Sequence, residues 1–230
     1  MIGFVIALAG PQTVRADMFN LGDIPSWQFA SPVSAKKVAI SVAKQLLPAL
    51  VLNDSAFAQR LGFNSEAEVT ANLSVGAPFP IFIVSLQRLM DYDPQQQSPI
   101  SLLLSSTNFL RNPVPFPARF LFPIQVPGGA VKTSVLVHMS PPTFMWEVSR
   151  IGSPELIKLL SNYGNGPRYF VISIPALGRY YLGKIDRSLF RIKTLFPDPI
   201  GIGEGQEVDA EQVFTKLQEE AARIIKPAPR

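Results

Sequence analysis

The stretch FIVSLQRLMDY at residues 82–92 decides the fold, because the chain repeats it closely as FVISIPALGRY at residues 170–180. Both stretches open with an apolar run rich in β-branched residues, which is typical of a buried strand. A unit that recurs within 230 residues indicates duplication of a supersecondary element whose copies share a core. Chance likeness between two apolar strands is the alternative interpretation.

The segments around the two stretches match as well. Ser65 with Glu68 forms a capping box, and Ser153 opens a Ser-Pro-Glu helix start. A second apolar run follows each stretch, at residues 102–104 and 189–195, and we interpret both runs as strands. The sequence therefore predicts an α+β fold with two related helix–strand–strand halves that share one core. We expect antiparallel or mixed sheets flanked by helices.

Further elements complete this arrangement. A helix is predicted from Ser34 to Pro48, and an apolar face after Asp209 predicts a C-terminal helix. The runs at residues 120–126 and 131–139 predict a hairpin joined by Pro-Gly-Gly. The predicted organisation is a signal peptide at 1–16, a helical N-terminal segment at 17–64, a first α/β half with the hairpin at 65–150, and a second α/β half with the C-terminal helix at 151–230.

The first residues have the pattern of an export signal. An apolar run at residues 2–9 is followed by Gly10 and Pro11, and small residues precede a cleavage position before Asp17. The run is too short to span a bilayer. We therefore expect an exported protein of the periplasm or of an intermembrane or lumenal space. A buried first strand or helix is the alternative, since the basic residues that usually open a signal are missing.

Composition argues against several classes of function. The chain has no cysteine and one histidine, His138, which excludes thiol chemistry and sites built from several histidines of one chain. The net charge of +4 is spread along the chain without a basic run, which does not favour nucleic-acid binding. The glycine-rich residues 201–205 are followed by carboxylates that would repel a phosphate. We predict no enzymatic activity, no cofactor and no metal site.

A protein-binding surface is predicted from aromatic residues in a proline-rich segment. Three prolines fall within five positions of NPVPFPAR at residues 112–119. Proline lacks a backbone donor, so we expect this segment to stay outside sheet interiors. Phe116, Phe120 and Phe122 lie in and beside the segment, and we predict that they form an apolar surface that binds other proteins.

Three segments resemble a known family: PIFIVSLQRLM at residues 80–90, FLFPIQVPGGAVKTSVLVHM at residues 120–139, and YFVISIPALGRYYLG from residue 169 with TLFPD at residues 194–198. The family is the chloroplast intermembrane-space import component of twenty-two kilodaltons, with its cyanobacterial periplasmic relatives. The resemblance covers residues 65–199. It implies an exported, cysteine-poor, chaperone-like factor built from two related α/β halves. The family's first strand, which precedes its first helix, is not evident in this chain.

The resulting prediction is a non-enzymatic protein-binding factor that is chaperone-like or associated with protein translocation. The alternative is a structural or accessory subunit of a larger envelope or membrane-associated assembly. The expected partners are other proteins, either an unfolded client or an assembly partner, and not nucleic acid. Peripheral association with a membrane stays open.

Overall fold

A nine-stranded β-sheet forms the centre of the computed structural model, which describes residues 32–104, 119–140, 143, 145–163, 169–186 and 189–225. The strands are β1 (Ser74–Val75), β2 (Phe79–Ile83), β3 (Arg119–Gln125), β4 (Val131–Met139), β5 (Trp146–Gly152), β6 (Tyr169–Ile174), β7 (Arg179–Asp186), β8 (Leu189–Thr194) and β9 (Glu207–Asp209). The helices are α1 (Pro32–Ser41), α2 (Leu47–Asn53), α3 (Ser55–Arg60), α4 (Glu66–Thr70), α5 (Leu86–Met90), α6 (Pro99–Leu104), α7 (Pro154–Ser161) and α8 (Ala210–Ile225). The predicted signal peptide lies outside the described residues.

The sheet order is β5-β4-β3-β2-β6-β7-β8-β9, with β1 beside β3. Neighbouring strands are antiparallel except for the central pair, β2 and β6, which is parallel. Along the chain, β3, β4, β5 and α7 separate these two strands, which supplies the long connection that a parallel pair requires. The structure confirms the α+β class, with a mixed sheet flanked by helices.

Helices cover the two faces of the sheet unequally. On one face, here called the α7 face, α7 packs against apolar residues of β2, β3, β6 and β7. On the opposite face, α1 to α4 cover β3 and β4, while α5, α6 and α8 cover β6 to β8. The central strands therefore bury apolar side chains on both faces, which explains why their sequences are continuous apolar runs.

The two similar stretches of sequence begin on the central parallel pair, the first at the end of β2 and the second at the start of β6. Phe82 of β2 lies opposite Ile172 of β6, and each of these strands starts one antiparallel half of the sheet. A twofold axis between two parallel strands would place Phe82 and Phe170 on opposite faces, because it exchanges the faces of the sheet. Instead their rings pack together on one face, with centroids 5.1 Å apart. The two stretches are therefore similar in sequence, but a twofold axis does not relate their matching residues in the structure.

The first half differs from the predicted helix–strand–strand unit. The predicted strand at residues 102–104 is the end of α6, so the first half contains two short helices after its central strand. Leucines are not branched at Cβ and favour helix over strand, and the Ser98 hydroxyl oxygen accepts a hydrogen bond from the Ser101 N–H at 3.2 Å. The second half has the predicted strand at 189–195 as β8, but it also contains β7 before it, a strand that the sequence does not predict.

The N-terminal helical region continues past Pro48, where the sequence predicts its end. Residues Val42–Leu46 form a π-helical turn between α1 and α2, and the Leu47 N–H bonds to the Val42 carbonyl. A proline lacks the N–H that an α-helix needs, and its ring crowds the carbonyl four residues earlier. The wider π-helical turn accommodates this ring, so the helical path does not stop at Pro48.

Gly62 connects α3 and α4 against β4 and the start of α7. Its φ is +87°, and a Cβ atom there would lie 2.5 Å from the Lys132 carbonyl oxygen and 2.9 Å from Pro154 Cβ. We expect Gly62→Ala to lower the free energy of unfolding by at least about 2 kcal/mol, through left-handed backbone strain and steric overlap. Gly128→Ala is the control, because Gly128 has a φ of +93° but open space around it. If urea denaturation shows that both variants lose the same free energy of unfolding, the steric argument is contradicted.

Candidate functional site

Two of the three predicted binding aromatics lie in the core. Phe120 is 4% exposed and Phe122 is 0% exposed, and both contribute to the cluster beneath α1 to α4. The Phe120 ring packs 5.5 Å from Trp146 between centroids. Neither ring therefore presents a surface, contrary to the expectation from the prolines, because β3 is covered by helices on both faces. Phe116 lies outside the described residues, and its binding role stays a prediction.

A groove, here called the α1–β1 groove, lies between α1 and β1 in the helical N-terminal region. Its volume is about 330 Å³, which is within the range of ligand-binding clefts. Its lining residues come from α1, the π-helical turn and the segment that leads into β1: Lys36, Ile40, Ala43, Lys44, Asn72, Leu73, Ser74 and Val75.

The α1–β1 groove combines an apolar floor with a basic rim. Ile40, Leu73 and Val75 provide apolar surface, while Lys36 and Lys44 project from the helical side. Within the described part of the chain, neither lysine has a carboxylate oxygen within 4 Å, since neither takes part in an ion pair. The groove therefore offers apolar contact and positive charge together.

The edge of β1 that borders the groove is unpaired. β1 pairs with β3 alone among the described strands, with Ser74 opposite Gln125 and Val75 opposite Ile124. The Gly76 N–H bonds to the Pro123 carbonyl at 2.9 Å. Bonded and non-bonded pairs alternate in an antiparallel ladder, so the N–H and C=O of Val75 point away from β3. They form a one-residue strand edge beside the apolar floor.

A buried ion network is a second polar cluster that the structure brings together. The Arg179 guanidinium contacts Glu220 at 2.5 Å and 2.6 Å and Asp198 at 3.2 Å, and the Tyr181 hydroxyl donates to Asp198. Burial, with the bond to Asp198, raises the pKa of Tyr181, so the phenol stays protonated. Burial alone would lower the pKa of Arg179, but its bond to Glu220 raises it. These charges compensate each other and connect β7, α8 and the loop after β8, so we assign them a structural role.

Other kinds of site find no support in the residues that the structure describes. No group of three or more metal-ligating side chains is gathered there. Over the same residues, no helix has the length and apolar character needed to cross a membrane. Comparisons with protein-family models, with curated proteins and with solved structures each found no match. Function is therefore inferred from the surfaces of the chain itself.

Proposed function

We propose that the chain is an exported, non-enzymatic protein-binding factor, chaperone-like or associated with protein translocation, that takes extended segments of other proteins into the α1–β1 groove. The observation that carries this proposal is the unpaired edge of β1 beside an apolar floor. An extended segment in the groove would pair its backbone with Val75 and direct alternate side chains toward the floor.

The two lysines at the rim give the groove a preference for acidic segments. Lys36 and Lys44 have no carboxylate partner within the described residues, so a carboxylate on a bound segment meets no competitor. Exposed ion pairs contribute roughly 0.2–1 kcal/mol each. The charges therefore bias the choice among segments, while apolar contact and backbone pairing supply most of the affinity. Such binding is weak and tolerant of sequence, as a chaperone-like factor requires.

A permanent subunit of a larger assembly is the second candidate. It is favoured by Val33 and Leu46, two large apolar side chains that are exposed in the same helical region. A permanent interface would cover both of them together with the groove. The two candidates differ in kinetics, because a chaperone-like factor exchanges many segments quickly whereas a subunit holds one partner for a long time.

The test measures binding of a fluorescein-labelled peptide of alternating leucine and glutamate by fluorescence anisotropy. The double variant Lys36→Glu, Lys44→Glu is expected to weaken binding about tenfold, because two attractions become repulsions. Bound peptide is also expected to slow hydrogen exchange at the Val75 amide. Lys37→Glu is the matched control, since Lys37 is exposed on α1 but does not line the groove.

The proposed function fails if the wild-type protein does not bind the peptide, or if Lys37→Glu weakens binding as much as the double variant. Slow dissociation over hours from one defined partner, with no binding of the peptide, would place the subunit candidate first. A leucine–lysine peptide that binds as tightly as the leucine–glutamate peptide would contradict the acidic preference.

A further inference from the structure

Two arginines lie on the α7 face beside other polar side chains. Arg119 begins β3 and lies opposite His138 of β4, which in turn lies opposite Glu147 of β5. Leu136, which packs against the α7 cluster, is two residues from His138 and lies opposite Arg150. Because directly opposed residues of an antiparallel ladder share a face, both guanidinium groups belong to the α7 face.

The sheet is concave on this face. Arg150 Nη2 donates to the Tyr180 hydroxyl at 3.3 Å, although four strands lie between β5 and β7 in the sheet order. The two side chains can meet only if the sheet curves toward the α7 face. β3 and β5 are separated by one strand, about 10 Å, and Arg150 lies two positions along the strands from Arg119, about 7 Å. The long side chains of Arg119 and Arg150 can span this separation and converge on one bound group.

Neither guanidinium has an anionic partner within the described part of the chain. No ion pair there includes Arg119 or Arg150, and the Arg119 side chain makes no hydrogen bond to a described residue. Burial lowers the pKa of Arg119, with no carboxylate to offset it. His138 Nδ1, in the same row, is also buried without a hydrogen-bond partner. A partly buried charge without a partner is unfavourable, so a bound anion would stabilise this row.

The sequence limits where that anion can come from. The internal segments outside the described residues contain no aspartate or glutamate; they are residues 105–118, 141–142, 144, 164–168 and 187–188. Glu147, the carboxylate in the row itself, accepts a hydrogen bond from Thr143 at 3.5 Å rather than pairing with an arginine. The carboxylate side chains of this chain that remain are those of Asp17 and Asp23, at the N-terminal end, and of Asp186, whose side chain is outside the described part.

We propose that Arg119 and Arg150 bind a carboxylate side chain of an acidic, extended segment of a partner protein across the concave α7 face. Arginine matches a carboxylate through two parallel hydrogen bonds. Arg119, Arg150 and Glu147 together carry one net positive charge, which a single carboxylate neutralises and a doubly charged phosphate exceeds. Glu147 and Arg150 are exposed and Arg119 is half-buried, so the site is accessible to a carboxylate carried by a large molecule.

This inference rests on the proposed function only in taking the partner to be a protein, because the α1–β1 groove is formed by α1 on the opposite face of the sheet. The test uses a labelled glycine–serine peptide with two glutamates and the same peptide with glutamines. Fluorescence anisotropy is expected to show about tenfold tighter binding of the glutamate peptide by the wild-type protein. The dissociation constants of the two peptides should differ by less than threefold for Arg119→Gln and for Arg150→Gln.

Two matched variants separate the arginine site from general charge and from misfolding. Lys158→Gln, at an exposed position of α7, should leave the ratio unchanged. Arg119→Lys keeps the charge but loses the paired hydrogen bonds, so its ratio should fall between those of the wild type and Arg119→Gln. Melting temperatures of all variants show whether each remains folded.

Several outcomes would overturn the inference. Equal binding of both peptides by the wild-type protein excludes a carboxylate site, whatever the groove binds. At least tenfold tighter binding after Asp17→Asn with Asp23→Asn, or after Asp186→Asn, would identify a carboxylate of the chain itself as the occupant. Displacement of the peptide by acetate at equal concentration would assign the site to small carboxylates. The groove variant Lys36→Glu, Lys44→Glu should keep the glutamate preference, and loss of that preference would place the binding in the groove instead.

Discussion

Replacing Phe122 with alanine is expected to lower the free energy of unfolding by about 3–5 kcal/mol. The Phe122 side chain is fully buried between β3 and the helices α1 to α4, with the ring of Phe120 6.2 Å away between centroids. Truncation leaves a cavity that a strand paired on both sides cannot move to fill. Urea denaturation followed by circular dichroism measures the change.

Met145→Ala is the matched control for this core substitution. Met145 is 64% exposed, so its truncation should change stability by less than about 0.5 kcal/mol. The pair of variants also decides between the core and a binding surface. A Phe122→Ala protein that unfolds at the wild-type urea concentration but no longer binds the leucine–glutamate peptide would return Phe122 to the binding surface that the prolines suggest.

Phe122 also illustrates how much of the core is predictable from the sequence. Alternation along a strand places Phe120 and Phe122 on one face of β3 and Leu121 on the other. A strand that is apolar on both faces indicates cover on both sides, and all three residues are buried. The nearby prolines favour a segment outside the sheet interior, and this expectation conflicts with the alternation, which indicates a buried strand. Pro123 lies inside β3 itself, where its carbonyl still accepts a hydrogen bond from the N–H of Gly76, the residue after β1.

Elements with strong local signals are the ones that the sequence predicts correctly. The hairpin of β3 and β4, the strand β6, and the helices α7 and α8 each have their own turn residues, alternation or helix start. β1 lacks such a signal, because it has two residues and exists through pairing with a strand about fifty positions later. A short strand of this kind depends on the tertiary structure and not on its own composition.

The candidate site shows the same limit. The lysines of α1 and of the π-helical turn lie within the helix that the sequence predicts from Ser34 to Pro48. The groove arises only when α1 lies beside β1, and nothing in the sequence near Lys36 or Lys44 indicates an unpaired strand edge opposite them. Ile40 and Leu73 are 33 positions apart in sequence and line one floor. The secondary structure of individual residues can thus be predicted correctly from the sequence, while the surface that these residues form together cannot.

The ion network of Arg179 is likewise invisible in the sequence. Arg179 and Glu220 are 41 positions apart, and Asp198 lies between Pro197 and Pro199 in a segment for which the sequence predicts neither a helix nor a strand. Its side chain is 4% exposed, and that of Arg179 is 13% exposed. Desolvation of such charges is unfavourable by itself, so each one stays buried only because the others compensate it. Removal of one partner therefore leaves the remaining charges uncompensated.

Replacing Arg179 with alanine is expected to lower the free energy of unfolding by about 3–5 kcal/mol at neutral pH, because Asp198 and Glu220 stay partly buried without a cation. Guanidinium denaturation measures the loss, and adding Asp198→Asn and Glu220→Gln to the variant should recover part of it. Arg223→Ala is the control, since Arg223 is exposed on the same helix as Glu220. The prediction is wrong if Arg179→Ala lowers the free energy of unfolding by less than about 1 kcal/mol, or if the triple variant recovers none of the loss. Either result would show that compensation among these three charges does not hold α8 against the sheet.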